Sequence, residues 1–146
     1  MALFDAINAS GSGLTAERLR MDVTAENLAN AQTTRGADGQ PYRRKEVVLA
    51  ERQEQGSFGA ALSGAMNGGK PAGVEVAAIA EDQTPLKQVY DPSHPDADAN
   101  GYVQMPNVDT VAEMVDLISA QRAYEANVTA MQAAKQMFSK TLELLR

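Results

Sequence analysis

From Asp109 to Arg146 the chain runs without a glycine or a proline, and this stretch limits what the rest can fold into. With Met114 as position a of a heptad, Leu117, Tyr124, Met131, Phe138 and Leu145 fall at successive d positions, and Met114, Val128 and Leu142 fall at a. The other a positions hold Gln121 and Lys135, polar residues that weaken a seam but fix its register and the number of its partners. Thr110 and Glu113 have the spacing of a reciprocal capping box, which predicts the helix start. At 1.5 Å per residue such a helix is a rod about 50 Å long, too long for a small domain to bury against itself. It needs a partner.

A second, thinner seam lies near the N-terminus, where Ile7, Leu14, Met21 and Leu28 recur every seventh residue. Its companion positions Ser10, Glu17 and Thr24 are polar, and Ser10-Gly11-Ser12-Gly13 interrupts it. Each interior glycine costs roughly 1 kcal/mol relative to alanine, so the pattern predicts a helix that is marginal alone and split into two segments. The run Asn27 to Thr34 closes this helix with capping residues, and Arg35 to Pro41 is turn chemistry throughout.

Between the helical ends the period becomes extended. Strands are expected over Tyr42 to Ala50, Gly73 to Ala80, Leu86 to Tyr90 and Tyr102 to Met105. Six of the eleven glycines crowd residues 56–73, which read as a flexible loop. The expected fold class is α+β, with N- and C-terminal helices forming an antiparallel coiled-coil-like stalk and a small β module inserted between them. The division is residues 1–34 paired with 107–146, and 35–106 as the β module.

Composition narrows the function. A formal charge of −6 argues against general affinity for nucleic acid or anionic membranes. The one basic cluster, Arg43-Arg44-Lys45, reads as a solvated strand face. With no cysteine, disulfides, thiolate metal sites and Cys nucleophiles are excluded. The start of the chain has no basic n-region and no long apolar run, so no cleaved secretory signal is expected, nor is a membrane-inserted helix.

Few residues could carry chemistry. Asp96-Ala97-Asp98-Ala99-Asn100-Gly101 matches the first half of an EF-hand loop, and a soluble calcium-binding or adaptor module using it is the alternative reading. The match breaks at the twelfth position, where Asn107 replaces the bidentate Glu. His94, the only histidine, lies between prolines in a segment read as an exposed loop. Glu113 and Asp116 are neighbours on what reads as a solvated helix face. No catalytic residue, metal, cofactor or small-molecule substrate is expected. A second stripe of small residues, Ala120, Ala123, Asn127, Ala130 and Ala134 with Met137, would let another helix approach closely, though alanine is also simply the best helix former.

The chain resembles the bacterial flagellar axial proteins, most closely the proximal rod proteins of the basal body. The general signature is Asn27, Asn30 and Thr33 closing the first helix. The narrower likeness rests on Asp38-Gly39-Gln40-Pro41-Tyr42-Arg43, on Gly101 to Asp109, on Glu113-Met114-Val115, on Arg122 to Val128 and on Lys140-Thr141-Leu142. Glu26 departs from the family pattern, and the Gly-rich loop from Gly56 has no family pattern to compare. The resemblance implies a structural, non-enzymatic rod subunit whose partners are other rod proteins, copies of itself and the flagellar type III export apparatus. It implies export without signal cleavage, and assembly through an inner layer of helices. The residues expected at that interface are Ile7, Leu14, Met21, Asn27, Leu28, Asn30, Thr33, Met114, Leu117, Tyr124, Val128, Met131, Phe138, Leu142 and Leu145.

Overall fold

The structure, a computed structural model, describes residues 2–36, 38–52 and 73–144. Two helices dominate it: α1 (Ala2–Ala29) and α2 (Thr110–Leu144). Between them lie β1 (Lys45–Glu51), β2 (Val74–Glu81), β3 (Lys87–Tyr90) and β4 (Tyr102–Met105). Leu145 and nearly all of the Gly-rich segment 56–73 fall outside the described residues.

The helices run antiparallel. Near the end of α1, Asn27 bonds to Glu113 at the start of α2, while a Cβ built on Gly11 would lie 3.7 Å from the Met131 side chain, far along α2. The α+β expectation of terminal helices around an inserted β module is met. The strands form two antiparallel hairpins, β1 with β2 and β3 with β4. In the first, Lys45 pairs with Glu81 and Glu51 with Val74, with a register irregularity between Val48 and Leu49. In the second, Tyr90 faces Tyr102 and their rings meet edge to face at 5.3 Å.

The expected split in α1 does not occur: it is one continuous helix through Gly11 and Gly13. Tertiary contact compensates for weak propensity here. The Ser12 hydroxyl donates to the Ala9 carbonyl at 2.7 Å and accepts from the Val74 amide at 3.0 Å, tying the glycine segment to β2. A Cβ on Gly13 would come within 2.9 Å of the Asn127 amide, so glycine there lets α2 approach.

The start of α2 also differs from the capping box. The Asp109 side chain accepts from the amides of Val111 at 3.0 Å and Ala112 at 3.5 Å, so Asp109 caps the helix and Glu113 is free to act elsewhere. The first strand begins later than expected because Tyr42 and Arg44 donate their amides sideways, to the Thr33 carbonyl and the Asn107 side chain.

The buried apolar set is small: Ala16, Val23, Val103, Val108, Ala120 and Ala134. On α2 the buried line is therefore Glu113, Ala120 and Ala134, flanked by half-buried Leu117, Tyr124, Asn127 and Met131. This is the d position together with the neighbouring small-residue line, and not the a–d seam. Small side chains bring the two helices together and leave several large ones outside the pair.

Candidate functional site

The end of the hairpin nearest the strands is closed by a buried polar junction. Asn27 and Glu113 are each only 1% exposed. The Asn27 amide nitrogen donates to the Lys45 carbonyl at 2.8 Å and to Glu113 Oε2 at 3.0 Å. Its oxygen accepts from the Tyr42 hydroxyl and from the Lys45 amide, both at 2.9 Å. Every hydrogen-bonding position of the side chain is thus used. Toward β1 it behaves as a short extra strand, giving and taking one bond with the same residue.

Glu113 uses its other oxygen to accept from Arg44 Nε at 2.6 Å. The Arg44 guanidinium also lies 3.6 Å from Asp116 and 3.7 Å from Glu46. Its pKa is raised, first by the hydrogen bond to Glu113, with burial opposing. Two expectations change here. Glu113 is not on a solvated face, because a carboxylate removed from water requires the guanidinium and amide that meet it. Arg43-Arg44-Lys45 is not merely a solvated strand face: Arg44 enters the junction, Lys45 Nζ donates to Glu26 at 2.6 Å, and Arg43 reaches the carbonyl of Asp82 at 3.3 Å.

Tyr42 completes the junction, and its phenol is pushed up to about 12, by burial first and then by the negative charges of Glu26, Glu113 and Glu81. Asn107 extends it into the hairpins: its oxygen accepts from the Arg44 amide at 2.8 Å, and its nitrogen donates to Thr84 Oγ1 at 2.8 Å. Glu113, Arg44, Tyr42 and Asn107 are junction positions that periodicity could not supply. The available signal was a lone Arg/Lys triplet opening a strand, matched by a Glu in the first turn of a helix whose cap is already provided by Asp109.

The other axial-motif residues shape the exit from α1. Asn30 donates from its side chain to the Glu26 carbonyl at 2.9 Å, and the Thr33 hydroxyl donates to Asn30 at 3.2 Å. Of the remaining expected interface residues, Ile7, Leu14, Met21, Leu28, Leu117, Tyr124, Val128 and Met131 are half-buried. Met114, Phe138 and Leu142 are exposed. Four apolar side chains on the first turns of α2, Val111, Met114, Val115 and Ile118, form an exposed patch, with Met114 at 49% and Val115 at 60%.

The Asp96 loop is engaged in its own architecture. Asp98 accepts from the amides of Asn100 and Tyr102, and Asp96 accepts from the Thr34 hydroxyl at 2.8 Å. The Asp91 carboxyl is held below its ordinary range by the Ser93 hydroxyl and amide. His94 Nδ1 accepts from the Asp96 amide at 3.1 Å. These are turn-forming bonds that also attach the loop to the end of α1.

The two helical ends match models of known families. Residues 7–37 match the flagella basal body rod protein family, and residues 99–144 match the family described as flagellar basal body rod FlgEFG protein C-terminal. Along its whole length the chain is similar to the flagellar basal-body rod proteins FlgC of Bacillus subtilis, at 52% identity, and of Borreliella burgdorferi, at 47%. These alignments cover 99% and 100% of this chain, and 99% of each relative. The FlgC protein of Salmonella typhimurium is 47% identical over 99% of this chain and 98% of its own. With likeness of this extent over both helices and the strands between them, the chain belongs to the FlgC family of flagellar basal-body rod proteins.

Proposed function

We propose that this chain, a structural protein of the flagellar rod and not an enzyme, is built into the rod through the outer faces of its terminal helices. One observation carries this reading: the hairpin packs through small residues and leaves Val111, Met114, Val115 and Ile118 exposed near the start of α2 and Met137 and Leu142 exposed near its end. Exposed apolar patches of this kind are covered when neighbouring helices pack against them, releasing free energy only on assembly. Residues 1–34 and 107–146 then form the inner layer and residues 35–106 the outer one. Copies of the chain and other rod proteins are the neighbours, and the interface includes the heptad residues of both helices. The chain reaches the rod through the flagellar type III export apparatus without losing a signal peptide.

Charge placed on the exposed patches tests the reading. In Ile118→Glu and Met137→Glu strains, soft-agar motility should be lost and the variant should be absent from purified basal bodies. The purified variants should stay within about 0.5 kcal/mol of the parent in stability, as for ordinary surface changes. Normal motility in both strains would remove the proposal. Mass spectrometry of the rod-incorporated protein tests the export reading, and a cleaved N-terminal segment would contradict it.

A further inference from the structure

The small side chains of the helix contact leave part of the choice of register to other groups. Asn27 faces Glu113 and Gly13 approaches Asn127, so each helix advances fourteen residues, or two heptads, between the two meeting points. Sliding α2 by one heptad would put Ala120 opposite Asn27 and Ala134 opposite Gly13. Both alanines are already buried in the contact, so these two meeting points would stay small after the slide, although Asn127 would then face Arg20 in place of Gly13. The polar groups distinguish the two registers most sharply. After the slide Asn27 would face a methyl group, and Glu113 would sit about 10 Å along the axis from Arg44.

We propose that the Asn27–Glu113–Arg44 network is a register lock: it selects one axial offset for the hairpin and ties that offset to the β module through Lys45. Its contribution is selectivity, because a buried ion pair gives little net stability over an apolar replacement but heavily penalises arrangements that leave it unpaired. Asn27 holds both main-chain groups of Lys45 while Arg44 holds Glu113, so the strand reads the position of both helices at once.

The full chain lacks cysteine, so spin labels can be attached through Asp22→Cys and Gln132→Cys, both on exposed positions. Pulsed electron paramagnetic resonance should give one distance population for the parent. With Asn27→Leu and Glu113→Leu added, a shorter-distance population should rise at least about tenfold while helical circular dichroism is retained. Glu113→Gln, which keeps an oxygen for Arg44, should hold the parental distance. An unchanged distribution in the double variant would assign register to the apolar contact, and loss of its helical signal would make the network a stabiliser; either overturns the proposal. So would slippage in Glu113→Gln, which would put selection in the charge and not in the hydrogen-bond geometry.

Discussion

Truncating Asn27 removes the partner of four groups in one step: the amide and carbonyl of Lys45, the Tyr42 hydroxyl and one Glu113 oxygen. Buried polar groups left unmatched cost about 1–3 kcal/mol each, and partial entry of water reduces the sum, so Asn27→Ala is expected to lose about 3 kcal/mol. A lowered urea midpoint at unchanged slope would record it; a loss under about 1 kcal/mol would mean that water replaces the amide. The orientation of the Asn27 amide is dictated by Lys45, whose N–H must meet the oxygen and whose carbonyl must meet the nitrogen. Aspartate lacks the donors, and leucine lacks both functions. Tyr42 makes a separate, pH-dependent prediction. Its phenol titrates near 12 in the folded chain against an ordinary 10, so between those values the unfolded chain has lost a proton that the folded chain keeps. Stability should therefore be untouched by this group below pH 10 and decline as pH rises toward 12. Tyr42→Phe should flatten that decline, and an identical slope in the variant would show that another group is responsible.

For the helices, the glycines of α1 separate propensity from packing. At Gly11 a Cβ meets only ordinary contact, so Gly11→Ala should stabilise the chain by about 0.5–1 kcal/mol. At Gly13 the same atom falls on Asn127, and Gly13→Leu should cost about 1–3 kcal/mol as α2 is pushed away. Thermal melts of the two variants should move in opposite directions, and movement in the same direction would contradict the close approach at Gly13. The contrast also explains what was legible. Long helical periods, turn residues and alternating strands identified every described element, because those signals are local. The buried face of α2 includes the d residues Leu117, Tyr124 and Met131 that heptad counting selects, but it centres on the small-residue line beside them, because this pair of helices meets through Gly13, Ala16, Ala120 and Ala134. The junction was illegible for a related reason: Asn27, Arg44 and Glu113 are far apart in sequence, and their fit depends on geometry that no periodicity encodes. Asn27 itself was found only through the family resemblance.

Over the whole molecule, order should fall away from the junction. The amides of Val23 to Asn27, Arg44, Lys45 and Ala112 to Asp116 surround the buried network, whereas residues 136–143 of α2 are exposed. Native-state hydrogen exchange on the purified chain should find the first group slowest and the distal part of α2 faster by at least about tenfold. Uniform protection along both helices would refute this gradient. The same unlikeness of the two ends has a directional consequence. One end of the hairpin is closed by amides, carboxylates and strands, and the other presents Met137, Phe138 and Leu142. Turned end for end, the subunit would offer a different chemistry at each position, so a row of such subunits all set in one orientation has a built-in arrow. A rod made in that way inherits the arrow from inside each chain, and growth at its two ends is then not equivalent.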